Sequence, residues 1–63
     1  MCSRGMIGKL NRSGMEACRS GRLDEAERNL LSALFQAQVA GLSCFEAKIH
    51  NNLGIVYELR GCP

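Results

Sequence analysis

Three observations predict an all-α fold for this chain, built as an antiparallel helix–turn–helix repeat. Three segments, near residues 6–20, 23–40 and 43–60, place apolar side chains at the three-to-four-residue spacing of a helix. Short glycine-containing turns separate them, and no segment shows the alternation of a strand. The third observation is internal: Asn11, Gly14 and Gly21 recur as Asn51, Gly54 and Gly61, each 40 residues later. Self-similarity at such a period is the mark of stacked helical units. The chain then supplies three helices of an α-solenoid, about one and a half units, in a single domain over residues 1–63.

The first helix starts between Ser3 and Ile7 and reaches Ser20. Ile7, Leu10, Gly14, Ala17 and Cys18 share one of its faces. Gly14 costs about 1 kcal/mol against alanine in a helix interior, so its presence implies a packing reason. Gly21 is placed to take a positive φ at the helix end. The second helix carries the stripe Leu23, Ala26, Leu30, Ala33, Leu34 and Ala37. Asp24 and Glu25 occupy its first turn, where the helix dipole favours anions, and Gly41 ends it. Gly41-Leu42-Ser43 leaves so short a connection that helices two and three are antiparallel neighbours.

Ser43 and Glu46 have the spacing of a capping box, in which each side chain satisfies a free backbone N–H of the other residue. The third helix stops at Gly61 and Pro63. Its apolar residues Phe45, Ile49, Leu53, Ile55, Val56, Tyr57 and Leu59 cover more than half the circumference. A terminal helix of a stack needs a polar outer face. The expectation is therefore either a piece of a longer repeat array, whose next helix would cover this one, or an exposed face of Phe45, Ile49, Leu53 and Val56 on which copies of the chain associate, with a homodimer as the simplest form.

Two stretches carry a family resemblance. One is Gly21-x-x-x-x-Ala26-x-x-x-Leu30-x-x-Ala33, within GRLDEAERNLLSAL; the other is His50-x-x-Leu53-Gly54-x-x-Tyr57-x-x-x-Gly61. Together they resemble the tetratricopeptide repeat (TPR), over nearly all of Ile7–Gly61. The period of 40 residues exceeds the usual ~34, which implies longer helices. Ser13 and Ala17 stand where the family has larger apolar residues. His50 replaces an aromatic or leucine and is expected to pack in its place.

The resemblance implies a protein–protein interaction scaffold whose first helices line a concave groove for a peptide or protein partner. On this chain the groove residues are Asn11, Arg12, Met15 and Arg19, with Lys48, Asn51, Asn52, Ile55 and Glu58. Asn51 and Asn52 would bond a ligand backbone, since an amide offers donor and acceptor together. Arg12, Arg19 and Lys48 would add charge-assisted bonds to an acidic peptide or a C-terminal carboxylate. A full carboxylate clamp is not expected, because Asn11 and Met15 occupy its positions. The competing reading of these polar residues is a solvated helix face.

Composition narrows the remaining classes. The chain has 63 residues, 46% hydrophobic and 22% charged, as in folded soluble domains. A net charge of +2 is too small to argue for nucleic acid or an anionic membrane. No apolar run approaches the ~20 residues of a membrane helix. Gly5, Gly8, Lys9 and Asn11 interrupt any signal-peptide core, so a cytoplasmic protein is expected.

Cys2, Cys18, Cys44 and Cys62 have 15, 25 and 17 residues between them and there is a single histidine, unlike a zinc site. Reduced, partly packed thiols are expected, with an inter-chain disulfide through a terminal cysteine as the rival.

Glu16, Glu27 and Glu46 form no acid–base pair in the sequence, and Cys44 and His50 do not share a helical face. Gly5-x-x-Gly8-Lys9 is too short for a phosphate loop. No catalytic residue, metal or cofactor is expected. The alternative function is a small three-helix nucleic-acid-binding domain of helix-turn-helix type. It is disfavoured by the acidic start of helix two and by a third helix with only Lys48 and Arg60 as cations. A thiol redox protein is a weaker third reading.

Overall fold

A computed structural model describes residues 3–61 as three helices and no strand. They are α1 (Ser3–Arg19), α2 (Leu23–Ala40) and α3 (Ser43–Arg60). Two short turns join them, so α1 and α3 run parallel to each other and antiparallel to α2. α2 packs extensively on both, whereas α1 and α3 meet over a short contact.

The two turns close in the same way. Gly21 and Gly41 adopt φ of 83° and 70°, a left-handed conformation that costs a glycine little. This reversal lets the Arg22 N–H donate to the Ala17 carbonyl at 2.9 Å and the Leu42 N–H to the Ala37 carbonyl at 2.9 Å. Both are the long bond of a Schellman motif, which satisfies the carbonyls a helix end leaves bare.

The same closure overturns the expected capping box. Leu42, already held by Ala37, is the N-cap of α3 and has no side-chain capping bond. Ser43 is the first helical residue and exposed. From that position its hydroxyl does not serve as the cap that the spacing of Ser43 and Glu46 implied.

Gly14 is the tightest point of the fold. A Cβ there would stand 2.8 Å from Leu30 Cγ, 3.0 Å from Leu30 Cδ2 and 3.3 Å from the Ala26 carbonyl oxygen. Leu30 is fully buried. The missing side chain thus admits Leu30, and the two helices close to near backbone contact. Ala17 and Cys18 of α1 and Ala26, Ala33 and Ala37 of α2 are buried in the same core. Small residues let a long α1–α2 contact stay close throughout.

α3 contributes two of the four largest fully buried side chains, beside Ile7 of α1 and Leu30 of α2. Ile49 and Val56 are wholly buried, Leu53 is 5% exposed, and Phe45 is half-buried against them. This corrects the expected self-association face. Ile49, Leu53 and Val56 follow i, i+4, i+7 spacing, and that stripe is the one α2 covers. Counting apolar residues around α3 did not tell which part its neighbour would take. His50 is a second correction: it is exposed, not packed as an aromatic would be.

Gly54 stands 40 residues from Gly14, yet a Cβ there would meet nothing within 4 Å. The same substitution should therefore have opposite signs at the two sites. Gly14→Ala gains about 1 kcal/mol of helix propensity but overpacks the core at a cost of about 1–3 kcal/mol, so net destabilisation is expected. Gly54→Ala keeps the gain and should stabilise by about 0.5–1 kcal/mol. Urea unfolding followed by helical circular dichroism reads both. Equal signs for the two variants would contradict the Leu30–Gly14 packing.

Candidate functional site

Parallel α1 and α3 bring their C-terminal ends together beside the start of α2. There the three helices leave an open cleft of about 470 Å³. Its lining is Met15, Cys18 and Arg19 of α1, Gly21 of the turn, Leu23 of α2, and Ile55 and Leu59 of α3. The cleft exists because α3 turns its core stripe to α2. Ile55 and Leu59 lie off that stripe and remain 36% and 61% exposed. An apolar lining with one cation suits an apolar group that has a polar neighbour.

Of the groove residues read from the sequence, Met15, Arg19 and Ile55 come together in this cleft. Arg12, Lys48, Asn51 and Glu58 are exposed outside its lining. Asn11 and Asn52 come together elsewhere: the Asn52 side-chain amide donates to Asn11 Oδ1 at 2.7 Å. Both are half-buried, and the bond ties α3 to α1 above the cleft. Their hydrogen-bonding capacity is thus partly spent between helices, whereas Asn51 faces solvent.

Cys18, Leu23 and Leu59, with Gly21 of the turn, were missed as lining residues. The first two belong to core stripes, and only the packing of three helices shows that those stripes end at an open cleft. Leu59 had a legible signal, its i, i+4 relation to Ile55.

At the same end of the molecule α2 and α3 share a polar clamp. Glu27 accepts from the Tyr57 hydroxyl at 3.0 Å and from Arg60 Nη1 at 2.8 Å, and Asp24 accepts from Arg60 Nη2 at 2.6 Å. The hydrogen bond from Tyr57, then that from Arg60 and its positive charge, holds the Glu27 carboxyl below its ordinary value, against the opposing effect of burial. The arrangement keeps Glu27 an anion that ties the two helices, the reverse of the raised carboxyl that a general acid uses at neutral pH.

Among the described residues no three His, Cys, Asp or Glu side chains gather as metal ligands. Cys18 is a buried free thiol and Cys44 an exposed one. Cys2 and Cys62, on which the terminal-disulfide reading falls, lie outside the described residues. No described helix is long and apolar enough to cross a membrane. No family model matches the chain, and no curated protein or solved structure is significantly similar to it.

A lowered folded-state carboxyl contributes stability above its unfolded value and loses it as pH falls through the folded one. The clamp should therefore weaken as pH drops below about 4.5, the ordinary value for Glu27. Urea midpoints measured from pH 7 to pH 3 should fall for the wild type. Glu27→Gln should start lower at pH 7 and fall less. An equally steep decline in Glu27→Gln would remove Glu27 from the account.

Proposed function

We propose that this chain is a cytoplasmic protein–protein interaction module of tetratricopeptide type, which binds a peptide segment of its partner in the α1–α3 cleft. The observation that carries the reading is the cleft itself. It lies between the first and third helices, where the family resemblance implies a binding groove. It holds three of the expected groove residues, Met15, Arg19 and Ile55. The Gly14–Leu30 contact supports the repeat assignment, since it gives the family-like glycine and small residues a packing role.

Self-association is not carried forward. Its argument rested on Ile49, Leu53 and Val56 being exposed, and they are core residues. Among the described residues, the large apolar side chains left outside are Leu31, Phe35 and Val39 along α2, Ile55 and Leu59 at the cleft, and Met6.

The test is selection of a random 12-residue peptide display library on the immobilised chain, followed by titration of the winning peptides. Ile55→Asp/Leu59→Asp should weaken them at least about tenfold, because each charge would sit in the apolar lining. Phe35→Asp, on α2 outside the cleft, should leave them unchanged. Peptides that depend on Phe35 and ignore Ile55 and Leu59 would contradict the proposal. Helical circular dichroism of each variant separates lost binding from lost fold.

A further inference from the structure

The outer side of α2 is apolar, although no described helix covers it. Leu31, Phe35 and Val39 follow i, i+4, i+8 spacing and are 44%, 66% and 74% exposed. At about 100° per residue they stand opposite Ala26, Leu30, Ala33 and Ala37, the residues that α2 gives to the core. A helix that is apolar on both sides belongs between two packed layers. Here α1 and α3 supply one of them.

Charge is missing from the same region. No residue from 29 to 45 is charged. Ser32 and Gln38, exposed beside the stripe, are polar but neutral. Arg28 is the nearest charge along this face of α2, seven residues before Phe35. Such a patch gives a charged partner nothing to pair with, whereas two copies of it meet without like charges at the centre.

The stripe is also symmetric. Leu31 and Val39 stand four residues to either side of Phe35, the largest side chain of the three. A contact between identical copies needs a patch that complements itself across a two-fold axis. With antiparallel helices and the axis at Phe35, the two Phe35 rings meet and Leu31 of each copy lies beside Val39 of the other. Arg28 selects the antiparallel sense. It stands about 10 Å along the helix from the axis. The two arginines are then about 20 Å apart, beyond the screening length of about 8 Å at physiological salt. Parallel helices would set them side by side.

We propose that α2 pairs with α2 of a second copy, antiparallel about Phe35, to form a homodimer. This face is distinct from the α3 stripe, which the core absorbs. The pairing does not rest on the cleft, which α2 lines only with Leu23, off the stripe, so both clefts stay open. The area sets the strength. The three side chains offer roughly 300 Å² per copy, about 600 Å² in the pair. Stable interfaces bury about 1,200–2,000 Å², so the dimer is weak and dissociates at low micromolar concentration.

The test is sedimentation equilibrium from about 10 µM to 1 mM, with reductant so that the exposed Cys44 cannot link copies. The average mass should climb from that of one chain toward that of two. Phe35→Glu and Phe35→Lys should each stay monomeric at 1 mM, because like charges would meet at the axis. Both should keep their helical circular dichroism, since Phe35 lies outside the core. Mixed in equal amounts, the two variants should sediment heavier than either alone. A wild-type chain that is monomeric at 1 mM would overturn the proposal. So would association that survives Phe35→Glu, or a mixture of the two variants no heavier than its parts. Neutral phosphatidylcholine vesicles that capture a chain monomeric without them, and release it in Phe35→Glu, would overturn it in favour of a lipid surface.

Discussion

The seating of Leu30 on Gly14 is the constraint from which the rest of the arrangement follows. It draws α1 and α2 so close that a single added carbon would stand 2.8 Å from Leu30. A contact of that kind needs small neighbours, and Ala17, Ala26, Ala33 and Ala37 supply them in the shared core. The larger core side chains are Ile7 and Leu30 of this pair and those that α3 adds. Ile49, Leu53 and Val56 come from α3, which docks on α2 and not squarely on α1. What remains between α1 and α3 is the cleft. A 63-residue chain has little core to spare, so a tight helix pair at its centre is also where its stability is concentrated.

Electrostatics follow the same division of labour. α2 faces both neighbours, and its acids are used to hold α3 through Tyr57 and Arg60. α1 is held by packing, and its arginines are left to solvent. Exposed pairs contribute little to stability, so leaving these cations unmatched costs the fold almost nothing. It does leave the cations of α1 exposed, with Arg19 in the cleft lining.

Most of the fold was legible in the residues. Helical periodicity located α1, α2 and α3 nearly to their ends, and Gly21 and Gly41 marked the turns because only a left-handed residue closes them cheaply. Gly14 announced a close approach, and it makes one with Leu30, whereas Gly54, equally interior to its helix, makes none. What was not legible was the direction in which α3 faces. Its apolar residues surround so much of the helix that periodicity alone does not choose a face, and the choice belongs to α2. The error over Ile49, Leu53 and Val56 follows from that. So does the outline of the cleft, whose lining takes in Met15, Arg19 and Ile55 but also Cys18, Gly21, Leu23 and Leu59. Asn11 and Asn52 were read as ligand-facing, but their amides complement each other across two helices, a pairing that spacing in sequence does not reveal. Ser43 misled because its spacing to Glu46 fits a cap, whereas the preceding turn had already fixed Leu42 in that place.

A double-mutant cycle on Gly14→Ala and Leu30→Ala tests the central packing claim most directly, with unfolding free energies measured in urea. The added methyl at residue 14 and the side chain of Leu30 compete for one space, so the two changes should not add. Gly14→Ala should destabilise the wild-type chain and become neutral or stabilising once Leu30 is cut back to alanine. Additive effects, with Gly14→Ala equally costly in both backgrounds, would contradict the account.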